Sequence, residues 1–167
     1  YVVGLICTPS SSHVDLAIQA ANAGLNLFIE KPLSNYFEPS KLKELVAVLQ
    51  SKGLWAKMGF SYRYLESLRE FNRALGGGII AADFWAGQHL SEWGSITAYH
   101  TDKEDGGVVR DSVSHSIDLV HWICGKIERV TSIIGSSGTF GKSISDTATV
   151  LCGMENGAGI SVHVDYF

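Results

Sequence analysis

Blocks of apolar and polar residues alternate along the first third of the chain, and their lengths predict strands and helices in turn. Short apolar runs at residues 2–7, 25–29 and 54–60 are typical of strands that are buried on both faces. Between them, one helix is predicted over residues 13–23, after a serine-rich turn. A second is predicted over residues 38–51, where apolar side chains recur at helical spacing. This alternation predicts a parallel sheet with right-handed crossovers.

The pattern changes after residue 60. A helix is predicted over residues 62–75 and another over residues 111–124, which ends at a glycine. Four strands are expected at residues 79–87, 129–136, 146–154 and 159–165. The dipeptide Asn156-Gly157 is a strong hairpin signal between the last two strands. We therefore predict two domains: an α/β domain over residues 1–60 and an α+β domain with a mostly antiparallel open sheet over residues 61–167.

Composition and charge narrow the classes of function. Hydrophobic residues make up 46% of the chain and charged residues 18%, which is enough apolar material for a packed core. The formal net charge is −4 and the basic residues are scattered, so we expect no nucleic-acid partner. No apolar run approaches the ~20 residues of a membrane span, so we expect no membrane partner. The three cysteines are far apart in apolar surroundings and are expected to be buried thiols in a reducing cytoplasm.

Charged residues follow the second predicted strand directly, in the sequence Glu30-Lys31-Pro32. Ligands bind open parallel sheets at the carboxyl ends of the strands, and Thr8-Pro9 follows the neighbouring strand at the same edge. A residue before proline is disfavoured in helices, so Lys31 is expected to project over this edge. From position alone, a ligand-binding pair and a merely solvated strand end are equally good interpretations.

Three polar residues in the second domain are candidates for acid–base chemistry. Asp111, His115 and Asp118 stand at i, i+4 and i+7 and would share one face of an α-helix. A carboxylate that orients an imidazole suits a general base near neutral pH. One alternative is a solvent-exposed polar face with Asp111 as the N-cap. A metal site that adds His89 or His163 is a further alternative, but the spacing is not compact and we predict no metal.

Four stretches together resemble the Gfo/Idh/MocA oxidoreductases, the family of glucose–fructose oxidoreductase and inositol dehydrogenase. They are "ICTPSSSH…AIQAANAGLNLFIEKPLS", "GFSYRY", "GGVVRDSVSHSIDLVHWICG" and "DTATVLCGMENGAGISV", and they cover essentially the whole chain. The resemblance implies that residues 1–60 are the C-terminal portion of an NAD(P)-binding Rossmann domain. It implies that residues 61–167 are a truncated substrate-binding domain, whose open sheet would form a homo-oligomer.

The resemblance also implies an activity and a set of site residues. The activity is the transfer of a hydride to or from a secondary alcohol of a sugar, cyclitol or sugar derivative. The implied catalytic residues are Lys31, Asp111 and His115. The cofactor, NAD or NADP, would be contacted by Thr8, Pro9, His13, Glu30, Lys31 and Pro32. The sugar-like substrate would be contacted by Tyr62, Arg63, Trp93, Asp111 and Asp118.

One departure from the family pattern bears on activity. The first strand of the Rossmann domain and its GxGxxG phosphate-binding turn are absent from this sequence. We therefore expect that the biological protein is longer and that this chain alone is inactive. The alternative function is a non-catalytic binding or regulatory module that has the same fold and does not bind the cofactor.

Overall fold

The fold is known from a computed structural model. The model describes residues 2–36, 38–76, 78–93, 107–141 and 143–167, and for Ser91 and Trp93 it describes the backbone only. Contacts between Cα atoms divide the chain into two compact units, residues 1–60 and residues 61–167.

The first unit is a three-stranded parallel sheet with two helices. The strands pair in the order β1-β2-β3, with Val3 opposite Asn26 and Leu27 opposite Ala56. The elements are β1 (Val3–Ile6), α1 (His13–Asn22), β2 (Asn26–Ile29), α2 (Pro39–Ser51) and β3 (Ala56–Met58). The predicted β-α-β-α-β order and parallel pairing are therefore confirmed.

The core of the first unit lies between the sheet and its helices. In the central strand β2, the side chains of Leu27 and Ile29 are fully buried. This burial explains why polar and apolar residues do not alternate along the strand. Small residues of α1 let that helix approach the sheet closely. The buried cluster consists of Ile6, Ala17, Ala21, Leu27, Ile29 and Leu45. This packing fixes where each strand ends, and so fixes the loops at the carboxyl edge.

In its described residues, the second unit has a four-stranded sheet, two α-helices and several short turns. The strand order is β4-β7-β6-β5; β4 and β7 are parallel, and the other two pairs are antiparallel. Its elements are α3 (Glu66–Leu75), β4 (Ala81–Gly87), α4 (Ser114–Cys124), β5 (Ile127–Gly135), β6 (Thr147–Met154) and β7 (Gly159–Asp165). The mostly antiparallel sheet and the hairpin at Asn156-Gly157 are confirmed.

One face of this second sheet is covered and the other is open. Side chains of β6 and β7 alternate, so that Val150 and Val162 are buried in a core with Val120 of α4. On the opposite face, Trp85 and Ile133 are exposed. The sheet therefore packs against the helix on one side only.

Two features of the second unit differ from the predicted helices. The helix expected from residue 111 begins with a π-helical turn at Val109–Val113, and regular α-helix starts only at Ser114. The helix α3 is preceded by a 3₁₀ turn at Ser61–Tyr64, and none of its residues is buried. Within the part of the chain that the structure describes, no helix is both long and apolar enough to cross a membrane.

Candidate functional site

Two loops lie side by side at the carboxyl edge of the first sheet. Ile6 of β1 is opposite Ile29 of β2, so the segments that follow these residues leave the sheet at the same level. The first segment is a turn that exposes Thr8 and Pro9, and the second contains the partly buried Lys31. The loops thus present a hydroxyl, a proline ring and an ammonium group at the edge where parallel sheets bind ligands.

A buried histidine joins the two loops. The side chain of His13, at the start of α1, is 1% exposed. Its Nε2 atom is 2.7 Å from the carbonyl oxygen of Thr8, and its Nδ1 atom is 2.8 Å from that of Pro32. A carbonyl oxygen can only accept a hydrogen bond, so the donor of any such bond here is an N–H of the His13 ring. His13 was predicted to contact the cofactor, but both of its ring nitrogens face the protein backbone, and its role is to hold the loops.

Further contacts hold the same two loops in place. The hydroxyl of Ser10, which is buried, donates to Oδ1 of Asn35 at 2.6 Å. The peptide bond between Lys31 and Pro32 is cis. Together with the contacts of His13, the hydrogen bond between Ser10 and Asn35 connects the turn after β1 to the segment after β2.

The carboxylate of Glu30 lies against Gly59, just beyond the end of β3. A Cβ atom at position 59 would be 2.5 Å from Oε2 of Glu30, so any side chain there would displace the carboxylate. The backbone N–H of Gly59 also donates to the carbonyl of Ile29 at 2.7 Å. Glu30 therefore reaches across the end of the sheet because the neighbouring strand ends in a glycine.

In the second unit, Asp111 lies in the π-helical turn and is 5% exposed. Its Oδ2 atom accepts a hydrogen bond of 3.2 Å from the hydroxyl of Tyr166, which is also buried, and lies 3.4 Å from the hydroxyl of Ser112. A buried carboxylate needs such donors. The prediction of a regular α-helix through Asp111, His115 and Asp118 is wrong at Asp111, which lies in the π turn.

His115 is half-buried at the start of α4, next to an aromatic residue from the 3₁₀ turn. The ring centroids of His115 and Tyr62 are 4.8 Å apart, and the ring planes are tilted by 33°. Tyr62 was predicted to contact the substrate, and in the structure its ring forms a wall beside the candidate general base. This contact brings together two of the predicted site residues.

Two other residues that were predicted to bind substrate bind each other. The guanidinium of Arg63 donates from Nε and Nη2 to the two carboxylate oxygens of Asp118, both at 2.8 Å. The side chain of Asp118 is only 9% exposed. The hydrogen bonds that Arg63 donates to Asp118 raise the pKa of Arg63 above its usual value, so the guanidinium remains charged. In the structure each carboxylate oxygen of Asp118 accepts a hydrogen bond from Arg63, and contact of either residue with a substrate stays a prediction.

Some of the sequence predictions fall outside the described residues. The side chain of Trp93 is among them, as is the segment 94–106, which contains the first glycine of the "GGVVRD" motif. Among the residues whose positions are described, no group of three His, Cys, Asp or Glu side chains could hold a metal ion. His163, considered as a metal ligand, is instead within 2.9 Å of Thr149 Oγ1 and 3.2 Å of Asp165 Oδ2.

Sequence reasoning missed Tyr166, Gly59 and Trp122. Tyr166 donates to Asp111 from 55 positions away, and no local pattern links the two residues. The guanidinium of Arg63 lies over the ring of Trp122, 5.8 Å from its centroid. For Gly59, a signal was available, since a glycine directly after a strand often marks a close approach of neighbouring groups.

Comparisons with known proteins identify two matching family models. Residues 3–60 match the model described as "Oxidoreductase family, NAD-binding Rossmann fold". Residues 77–167 match the model described as "GFO/IDH/MocA C-terminal domain". The second match alone covers more than half of the chain.

Relatives and solved structures agree with these matches. The chain is 28% identical over 131 residues to scyllo-inositol 2-dehydrogenase (NAD(+)) of Bacillus subtilis, a match that covers 78% of this chain and 37% of that protein. The structure of myo-inositol 2-dehydrogenase from Lactobacillus plantarum superposes with a TM-score of 0.81 at 25% identity, over 97% of this chain and 50% of that one. A levoglucosan dehydrogenase in complex with NADH and levoglucosan has the same fold, with a TM-score of 0.81 at 21% identity. The match covers 98% of this chain and 47% of that one. The chain thus spans about half the length of these proteins or less.

Proposed function

This chain belongs to the GFO/IDH/MocA oxidoreductase family, and on that premise we propose that it is part of an NAD(P)-dependent dehydrogenase or reductase. The reaction is hydride transfer to or from a secondary alcohol of a sugar, cyclitol or sugar derivative. The observation that carries this proposal is the carboxyl edge of the first sheet, where His13 joins the Thr8-Pro9 turn to the Glu30-Lys31-Pro32 loop.

The groups at this edge fit the nicotinamide end of a dinucleotide. Thr8 and Pro9 are exposed while the residues that hold them are buried, so the turn offers a hydroxyl and an apolar ring to a ligand. Lys31 adds ammonium donors, which suit the oxygens of a ribose or a carboxamide. We propose that Thr8, Pro9, Glu30, Lys31 and Pro32 hold the cofactor, NAD or NADP, within the C-terminal portion of a Rossmann domain formed by residues 1–60.

The chemistry is divided between the two units. A bound nicotinamide supplies or accepts the hydride. His115 takes the proton of the substrate hydroxyl during oxidation and returns it during reduction. Lys31 donates a hydrogen bond to the reacting oxygen and stabilises its developing negative charge. Asp111, whose carboxylate is fixed by Tyr166, supports the charge that His115 acquires and holds a substrate hydroxyl.

Site-directed variants of the gene product that contains this chain test the proposal. We expect Lys31→Met and His115→Ala to lower kcat by about 10²–10⁴-fold, the usual contribution of a positioned acid–base group. For His115→Ala, which alters no residue proposed to hold the cofactor, the dissociation constant of the cofactor, measured by calorimetry, should change little. The matched controls are Lys43→Met and His121→Ala, which alter exposed residues. Unchanged turnover in either site variant would overturn the mechanism, and no binding of NAD or NADP would favour a non-catalytic module.

The open face of the second sheet supports a second copy of the chain as a partner. Ile133 on β5 is 77% exposed, and Leu151 on β6 is also exposed. Arg129 lies on the outer strand β5 and Asp83 on the outer strand β4, at opposite edges of this face. A two-fold axis parallel to the strands of two sheets packed face to face would bring Arg129 of one copy near Asp83 of the other.

The oligomer is tested by sedimentation over a range of protein concentrations. We expect Leu151→Asp to lower the mass of the assembly, since it places a charge at the centre of the contact. Val46→Asp alters an exposed residue of α2 in the first unit and serves as the control. A monomer at every concentration in the unmodified protein would contradict the proposal.

A further inference from the structure

The bidentate pair between Arg63 and Asp118 has a geometry that suits positioning rather than substrate binding. Both donors of the guanidinium fork are 2.8 Å from their acceptors, and the side chain of Asp118 is almost fully buried. A bidentate pair of this kind fixes direction as well as distance. It connects the 3₁₀ turn Ser61–Tyr64 to the middle of α4.

A second contact also fixes the guanidinium of Arg63, and it comes from a residue one helical turn after Asp118 on α4. Trp122 is four residues after Asp118 on α4, and Arg63 lies over its ring at 5.8 Å. Residues i and i+4 of a helix are neighbours on its surface, so the ion pair and the cation–π contact act on one side chain from one helix face. Arg63 is therefore held at two points.

This attachment determines where the adjacent residue lies. Tyr62 precedes Arg63 directly, and His115 precedes Asp118 by three residues on the same helix. The turn thus runs along α4, with Arg63 on Asp118 and Tyr62 on His115 at a centroid distance of 4.8 Å. Tyr62 is 38% exposed, so its ring also has a surface that faces away from the packed side.

We propose that Arg63 and Asp118 are a positioning pair that holds Tyr62 as an aromatic wall against His115. The wall fixes the orientation of the imidazole and offers an apolar surface to the C–H face of a sugar or cyclitol ring. The inference rests on the proposed function for the substrate class. The contact between Tyr62 and His115 is independent of that function. A general base whose ring rotates freely is often misplaced, and even a small misplacement strongly lowers the reaction rate.

Kinetics of variants in the gene product that contains the chain test the positioning role. Arg63→Lys keeps the positive charge but loses the guanidinium fork. We expect this variant and Asp118→Asn each to lower kcat by about 10- to 100-fold, with the cofactor dissociation constant within about twofold of wild type. The double variant should be no worse than the poorer single one, since both remove the same interaction. Arg69→Lys is the matched control, because Arg69 forms an exposed pair with Glu66.

The NMR signals of the His115 ring provide a readout that does not depend on activity. Arg63→Lys and Tyr62→Ala should both remove the ring-current shift that Tyr62 imposes, whereas Tyr62→Phe and Arg69→Lys should keep it. A His115 shift unchanged by Arg63→Lys, or kcat losses that add in the double variant, would overturn the inference. If the wild type turns over no sugar or cyclitol, the proposed function fails, and the NMR shifts still decide whether the pair positions Tyr62.

Discussion

The two units build their candidate sites in different ways. In the first unit, the site lies on loops that directly follow paired strands, and the contacts that hold these loops end largely on the backbone, as those of His13 do. In the second unit, the site lies on a helix and is held by side chains from distant parts of the chain. Asp111 depends on Tyr166 and Asp118 on Arg63, each pair 55 positions apart.

This difference separates a site built by topology from one built by packing. Once two parallel strands are in register, the loops after them must emerge together, whatever their side chains. A helix fixes only the spacing of its own residues, and each functional side chain still needs a partner from elsewhere. Substitutions should therefore affect the first site through the loops as a whole, and the second site one side chain at a time.

The largest effect is expected for His13→Ala, which removes the contact between the two loops of the first unit. The loss leaves at least one of the carbonyl groups of Thr8 and Pro32 without its donor, at a cost of about 1–3 kcal/mol. Unfolding in urea and hydrogen exchange of the β1 and β2 amides measure the change. Exposed His121, whose Nδ1 is 3.0 Å from the carbonyl of Gly125, is the control, and His121→Ala should change stability by less than about 0.5 kcal/mol. Equal effects of the two substitutions would refute the role of His13.

A smaller and more local effect is expected for Tyr166→Phe. This change removes only the hydroxyl that donates to Asp111, and a single intramolecular hydrogen bond typically contributes about 0.5–1.5 kcal/mol. We also expect a lower kcat, because the carboxylate loses a donor that fixes its position. Tyr64→Phe, at an exposed position of the same unit, is the control. A kcat equal to that of wild type would show that Tyr166 does not position Asp111.

The smallest effect concerns the thiols. Cys7 of the first unit is exposed, whereas Cys124 and Cys152 of the second are buried, and burial raises the pKa of both buried thiols above the usual 9.0. Their contribution to stability is therefore complete below pH 9 and decreases as the pH rises towards their pKa in the folded state. Alkylation followed by mass spectrometry should label Cys7 first at every pH from 7 to 10. Cys152 reacting as fast as Cys7 at pH 8 would contradict this.

The sequence was sufficient to predict the features that depend on local pattern. The parallel order of β1, β2 and β3 followed from the alternation of strands and helices, and the hairpin between β6 and β7 from Asn156-Gly157. Spacing also placed His115 and Asp118 on one helix. These features depend on propensity and periodicity, which neighbouring residues determine.

Other features depend on contacts between distant residues, and the sequence did not reveal them. Nothing near Asp118 in the sequence indicates that Arg63 neutralises it, so its carboxylate was assigned to the substrate. The π turn at Val109–Val113 was also missed, because the hydrophobic pattern of five residues cannot separate it from an α-helical turn. The parallel pairing of β4 with β7 joins segments that are far apart in the chain.

The π turn at Val109–Val113 has a consequence for how this region changes in length. A π turn holds one residue more than an α-helical turn, so it accommodates an insertion or a deletion of one residue without breaking the helix. Loss of Ser112 would leave α4 intact but rotate Asp111 by roughly 100° about the helix axis, since an α-helix has about 3.6 residues per turn. A one-residue gap in an alignment here would thus mark a change in the direction of the carboxylate, although the helix itself would look unaltered.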